Sequence, residues 1–219
     1  MRKVIAATFL SLDGVMQAPG GPEEDPTGGF KYGGWTFHYW DEAMGQAMAK
    51  TFNEPFDLLL GRKTYEIFAA HWPFMAADPI AEKFNAVTKY VATSSTQPLT
   101  WNNSVSLNDV AADVARLKLS DGPNLLTQGS SGLMQTLLAH DLIDEFNLLV
   151  FPLLLGPGKK FFGAGVIPAA LKLVDSKLST TGVMMNTYVR GGDVKTGSFA
   201  LPQSSAAELA RRQKMTIEG

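Results

Sequence analysis

The chain has no cysteine. That absence excludes disulfides, thiolate metal sites and cysteine nucleophiles. Its three histidines, His38, His71 and His140, are scattered and lack the spacing of a zinc-binding helix, so no metal is expected. Charge of one sign is scarce too: 19 Lys and Arg against 21 Asp and Glu leave a formal net charge of -2. Without a broad basic field, no nucleic-acid partner is expected. No apolar run is long enough to span a bilayer, so no membrane partner is expected either. Arg2 and Lys3 precede an apolar stretch at 4–10, as in a secretory leader, but the stretch is short and Asp13-Gly14 interrupts it. It reads as a buried first strand, which points to the cytoplasm.

Several catalytic signatures are missing as well. There is no Gly-x-Ser-x-Gly elbow and no Gly-x-x-x-x-Gly-Lys-[Ser/Thr] loop. The Gly-x-Gly-x-x-Gly of a Rossmann strand is absent, so a dinucleotide site here must use a different fold.

What is present is a chain of 219 residues, enough to bury a real core. Residues 1–190 read as one domain, and the polar, small-residue segment 191–219 as a partly mobile tail. Strands are predicted over 3–10, 57–60, 89–93, 124–127 and 145–155, with an antiparallel hairpin over 171–178 and 183–190. Helices are predicted over 41–52, 64–70, 80–87, 107–118, after the turn at 128–132, and over 208–214. In the fourth of these, Ser106 and Asp109 resemble a capping box. Strands alternating with helices predict an α/β fold with a largely parallel sheet and right-handed crossovers, closed by an antiparallel edge.

The most informative segment is Leu58-Leu59-Leu60-Gly61-Arg62-Lys63-Thr64. An apolar strand ends at a glycine, and two cations follow where a helix can begin. Close backbone approach, free N–H groups and the positive end of a helix make an anion site. Similar strand ends recur at 93–96 and 128–132, and ligands of such sheets bind beyond the carboxyl ends of strands. Gly129-Ser130-Ser131-Gly132 offers backbone amides to a pyrophosphate. Arg62, Lys63, Ser94 and Ser95 offer charge and hydroxyls to a ribose phosphate. Taken singly, the serine turns read as helix caps and strand stops; three such ends in one sheet favour a ligand.

The glycine- and proline-rich segment 18–36 is too long for an ordinary connection and reads as either a functional or a disordered loop; the family resemblance given below implies a lid. Trp35, Phe37 and Trp40 are expected to line a pocket beneath it; the competing reading packs them on the following helix. Asp13 is either a polar group near the substrate or simply the turn residue of Asp-Gly.

Together Ala6-Ala7, Ser11-Leu12-Asp13-Gly14, Gly61-Arg62-Lys63-Thr64-Tyr65-Glu66 and the glycine turn at 129–132 resemble the dihydrofolate reductase-like superfamily. Ser-Leu-Asp-Gly, Leu142-Ile143-Asp144-Glu145-Phe146, Pro152 and Leu155-Gly156-Pro157-Gly158-Lys159 are closer to the reductase domain of riboflavin-biosynthesis deaminase-reductases. The resemblance spans about residues 3–190. It implies a three-layer α/β/α sandwich and an NADPH site. By position, Gly61, Arg62, Lys63 and Thr64 would hold the pyrophosphate and the 2′-phosphate side. Thr93, Ser94 and Ser95 would flank the adenosine, Gly129, Ser130, Ser131, Gly132 and Leu133 would cover the pyrophosphate, and Ala7 would meet the nicotinamide carboxamide.

Two positions depart from the superfamily pattern. Its cis-linked Gly-Gly pair corresponds to Gln128-Gly129. Its substrate carboxylate falls near Gly45, leaving Asp41 and Glu42 about one helical turn early. Asp41 is thus either a displaced catalytic group or a helix cap. The resemblance implies an NADPH-dependent reductase of a small polar substrate, pterin-, pyrimidine- or sugar-like, rather than a genuine dihydrofolate reductase. A non-catalytic dinucleotide- or flavin-binding sensor is the alternative. The apolar 145–155 segment beside an antiparallel edge, with the resemblance, implies a homodimer.

Overall fold

The computed structural model describes residues 1–75, 77–200 and 202–218, so Leu201 and Gly219 of the tail lie outside the described residues. Eight strands form one sheet: β1 (Val4–Ser11), β2 (Phe56–Gly61), β3 (Lys89–Ala92), β4 (Ser104–Leu107), β5 (Asn124–Thr127), β6 (Glu145–Phe151), β7 (Ala170–Leu178) and β8 (Met184–Gly192). Their spatial order is β4-β3-β2-β5-β1-β6-β8-β7. The first six run parallel, and the β8–β7 hairpin joins β6 antiparallel. This is the expected architecture.

The helices are α1 (Glu42–Asn53), α2 (Arg62–Ala69), α3 (Pro79–Ala86), α4 (Val110–Leu119), α5 (Ser131–Ala139) and α6 (Ala206–Glu218). All six residues of β2 are buried. Leu58 and Leu60 join Met44, Met48 and Phe52 of α1 and Phe84 of α3 in one cluster, while Leu59 joins Val114 of α4 and Leu133 and Leu137 of α5 in the other. Helices therefore cover both faces, and a strand covered on both faces reads as a continuous apolar run rather than an alternating one. The spacing of Met44, Met48 and Phe52 at i, i+4 and i+8 gives α1 its single inward stripe.

The structure differs from the sequence reading at several ends. Strand β4 was not expected; a helix was expected to begin at Leu107. Leu107 instead ends β4, paired with Ala92. The expected capping box does not form: Asp109 alone caps α4, accepting the Ala112 N–H at 3.2 Å. Ser-Val-Ser-Leu is a short, half-exposed edge strand, and only its neighbour β3 makes it one. Helix α2 begins directly after Gly61, two residues early. Strand β6 stops at Phe151, because Pro152 has no N–H to continue the ladder. In the tail, α6 is longer than the expected 208–214 and buries no residue. No helix among the described residues is long and apolar enough to cross a membrane.

Lys89, at the start of β3, is completely enclosed. Its Nζ donates to the Asn85 carbonyl at 2.8 Å and lies 4.4 Å from the Trp101 ring centroid. Burial lowers its pKa to about 8. Between that value and the ordinary lysine range, the unfolded chain holds a proton that the native state has lost, so this residue's contribution to stability rises with pH. Lys89→Met is expected to be more stable than the wild type at pH 7 by about 1–3 kcal/mol. Chemical denaturation at a series of pH values should show the gap closing towards pH ~10; a gap that widens would reject this account.

Candidate active site

The site exists because β5 is short. The β1–β5 register ends at Ala6↔Thr127, but β1 continues to Ser11. Past Ala6 the β5 side of β1 has no strand partner, and a cavity of about 850 Å³ opens there. Side chains alternate along a strand, so Thr8 shares the α5 face with Ala6 and Leu10, while Phe9 packs with the α1 face. Both line the cavity, which therefore passes through the sheet from one face to the other.

Two helix N-termini open into it. Lys63 and Thr64 of α2 and Ser130, Ser131 and Gly132 around the start of α5 are on its wall. Helices α1, α3 and α4 are each capped by an aspartate side chain. Among the described residues, neither α2 nor α5 has a side-chain cap. Their first-turn N–H groups, with the positive ends of two helix dipoles, are left for an anion. Lys63 is exposed and forms no ion pair among the described residues.

The two N-termini are interlocked. The Gly61 N–H donates to the Gly129 carbonyl at 3.3 Å. A Cβ on Gly61 would lie 2.0 Å from Ser130 Oγ, and one on Gly129 would lie 2.8 Å from Thr64 Oγ1. The cis peptide is Gly129–Ser130, one residue after the Gln128-Gly129 pair that stands where the resembled superfamily has its cis-linked Gly-Gly.

The other expected residues separate into those at the cavity and those away from it. Ala7, Gln128 and Trp40 line it, and Trp40 packs edge-on to Phe9 at 6.1 Å. Trp35 does not: it is buried in the core, donating its indole N–H to the Gln17 carbonyl at 2.8 Å and packing on Phe151. Phe37 is 76% exposed and also off the wall. Leu133 is core. Arg62 is turned away, its Nε 2.6 Å from Glu66 Oε1 and a terminal nitrogen 2.9 Å from the Gln97 carbonyl. Thr93, Ser94 and Ser95 do not reach the cavity; Thr93 Oγ1 accepts the Ser95 N–H, and Ser95 Oγ accepts the Gln97 N–H. Arg62 thus ties that loop to α2.

Neither aspartate singled out from the sequence lies on the cavity wall. Asp13 closes its own turn: the Ser11 hydroxyl, then the Leu155 and Gly156 amides, hold its carboxyl below the ordinary value. Asp41 caps α1 through the Met44 N–H at 3.0 Å and also takes the Thr180 N–H and hydroxyl. Both do the local hydrogen bonding their sequence context allowed.

The sequence reading missed the acidic members of the long loop. Buried Gln17 organises that loop, donating to the Asp25 and Thr27 carbonyls and accepting the Lys159 N–H. This places Glu24, Asp25 and Lys159 on the cavity wall. Burial raises the Glu24 pKa despite hydrogen bonds from the Gly20 and Gly21 amides. A carboxyl raised in this way keeps its proton to higher pH than an exposed one does. Burial works to raise Asp25 too, but its contacts with Lys159 and Thr27 outweigh it and hold it low. The Glu-Glu-Asp run among the glycines was the available signal. His71, Trp72 and Ile80, also on the wall, carried none.

The fold has structural counterparts. The dihydrofolate reductase of Enterococcus faecalis, solved as a complex with NADP(H) and RAB-propyl, superposes with a TM-score of 0.56 at 14% identity, over 86% of this chain and 96% of that one. A pyrimidine reductase-like protein of Corynebacterium diphtheriae gives a TM-score of 0.57 at 11% identity, over 88% and 93%. In sequence, the uncharacterized protein YyaP of Bacillus subtilis is 28% identical over 193 residues, 85% of this chain and 94% of its own. The model of the RibD C-terminal domain matches residues 2–185. That match spans most of the chain, and the chain belongs to the RibD C-terminal domain family.

Proposed function

We propose that the protein is a reductase using NADPH and acting on a small molecule held in the same cavity. The single observation that carries this is the pair of helix N-termini, uncapped and side by side, at the open end of β5. The residues present fit a dinucleotide. Thr64, Ser130, Ser131 and Gly132 would hold the pyrophosphate and Lys63 a further phosphate, while the backbone of Ala7 would meet the carboxamide. Thr8 Oγ1 is buried in the slot without a partner among the described residues, which suits a polar ring substituent. Such a cofactor supplies hydride when bound; the protein's part is to orient the reactants and exclude water.

Lys63 rather than Arg62 is the cation free to meet a 2′-phosphate, since Arg62 is already engaged by Glu66 and Gln97. Calorimetry is expected to show NADPH binding more tightly than NADH. Lys63→Ala should weaken NADPH by about tenfold, the loss of one charge-assisted contact, and NADH much less. Equal loss for both nucleotides would remove Lys63 from the 2′-phosphate, and no binding of either would end the reductase reading.

The same reading includes a homodimer. Edge strand β7 leaves Leu171, Leu173, Val174 and Leu178 exposed, an apolar edge of the kind that oligomerisation covers. Light scattering at micromolar concentration should give twice the chain mass; the mass of a single chain would exclude it.

A further inference from the structure

Gln17 and Lys159 line the candidate active site, and they also line a second cavity of about 400 Å³. Among the described residues no other is common to the two, so this pair forms the partition between them. Gln17 is fixed there: its side-chain nitrogen donates to the Asp25 and Thr27 carbonyls, and its oxygen accepts the Lys159 N–H. Lys159 Nζ bridges the partition. It pairs with Asp25 of the first cavity and donates at 2.8 Å to Thr27 Oγ1 of the second. The charged side chains on the second cavity's wall are Lys31 and Lys159, and among the described residues no carboxylate lies on it. Lys31 is exposed and forms no ion pair among the described residues. Phe30 and Tyr32, edge to face with ring centroids 5.8 Å apart, add an aromatic wall. Gly28 and Gly29, both at positive φ, leave open space where side chains would stand.

From this arrangement we propose that the second cavity binds a small carboxylate carried on a flat ring, and that its occupancy weakens nucleotide binding in the first. An ammonium has three N–H donors, and Lys159 uses two of them, on Asp25 and Thr27. The third, with Lys31, gives a carboxylate two cations, while its ring lies against Phe30 and Tyr32. Such an anion competes with Asp25 for the Lys159 charge. Asp25, on the wall of the first cavity beside Glu24, is then less compensated and opposes a phosphate-bearing nucleotide. Linkage is reciprocal, so the nucleotide weakens the carboxylate by the same factor. The carboxylate site stands on the second cavity alone; the coupling rests on the reductase reading.

Benzoate and its neutral near-isostere benzamide are the opposed probes. In 15N-labelled protein, benzoate is expected to shift the backbone amides of Gly28, Gly29 and Lys31 along a saturable curve, and benzamide to leave them unmoved. Lys31→Glu, outside the first cavity, should weaken benzoate about tenfold or more, the loss of a charge-assisted contact. Without benzoate, this variant should bind NADPH as the wild type does. Calorimetry of NADPH in saturating benzoate should show about a fivefold or greater loss of affinity in the wild type and none in Lys31→Glu. No saturable shift at tens of millimolar benzoate, equal shifts by benzamide, or undiminished binding to Lys31→Glu overturns the site. Benzoate shifting the Ser131 and Gly132 amides with the same affinity places any competition at the helix ends and overturns it too. Unchanged NADPH affinity in saturating benzoate overturns the coupling. If NADPH fails to bind the benzoate-free protein, the reductase reading and the coupling fail, and the carboxylate site is decided by the amide shifts.

Discussion

Gly61→Ala should reduce NADPH affinity by about 100-fold or more, close to 2.8 kcal/mol, while the chain remains cooperatively folded. The reason is the contact between the two helix ends. The added Cβ would lie 2.0 Å from Ser130 Oγ, 2.9 Å from Ser130 Cβ and 3.2 Å from Ser130 N. Rotating the serine side chain relieves the first contact but not the second, because Cβ is fixed to the backbone. The 129–131 segment must then move, and with it the amides that open into the cavity. Gly61 is extended, with φ -74° and ψ 155°, so alanine meets no conformational barrier of its own there. The effect should therefore be confined to the site. In Gly61→Ala/Ser130→Gly both clashing side-chain atoms are gone, and about tenfold or more of the lost affinity should return. NADPH binding by Gly61→Ala within about threefold of wild type would show that the two loops are not the binding surface.

Asp57→Ala should destabilise the protein by about 3–5 kcal/mol. Arg2 and Asp57 form an ion pair, and both residues are buried. The guanidinium also donates to the Pro123 carbonyl and lies over the Tyr90 ring, 5.4 Å from its centroid. Asp57 Oδ1 accepts the Thr88 N–H at 3.2 Å. Removing the carboxylate strands a buried cation, which costs more than the pair itself contributes. For a chain of this size the loss corresponds to a fall in melting temperature of about 10 °C or somewhat more. Arg2→Lys should not restore the wild-type value, because one ammonium cannot reproduce the planar contacts to Asp57 and Pro123. The pair lies at the amino ends of β1 and β2, and the cavity lies towards their carboxyl ends. NADPH affinity below the melting transition should therefore be unchanged. A destabilisation below about 1 kcal/mol would mean that the ion pair is effectively solvated.

Much of the fold was legible because its signals are local. The apolar run Leu58-Leu59-Leu60 before Gly61 declares a strand covered on both faces. The i, i+4 stripe of Met44, Met48 and Phe52 declares a helix, and Asp41 its start. Gly61, Arg62, Lys63, Thr64 and the turn at 129–132 were marked as candidate site residues because strand-glycine-helix junctions have a chemistry that spacing reveals. Strand β4 was illegible for the opposite reason. Its four residues form a strand only beside β3, and sequence carries no trace of that neighbour.

The site shows the same division. From its own residues the sequence determined an α/β chain without thiol chemistry or a broad basic field, and glycine-ended strands feeding helices. Which of those residues meet was decided by tertiary structure alone. Trp35 and Trp40 looked equivalent as aromatics near a glycine-rich loop, yet one finds the Gln17 carbonyl and enters the core while the other faces the cavity. Arg62 and Lys63 are adjacent, but the helix turns them apart, giving Arg62 to Glu66 and leaving Lys63 free of ion pairs among the described residues. Glu24, Lys159 and Trp72 reach one wall from three distant segments, the first two through the hydrogen bonds of Gln17. Local chemistry is written in neighbours along the chain. A cavity is made where strands end at different heights, which is a property of pairs of strands and so becomes visible only once they are assembled.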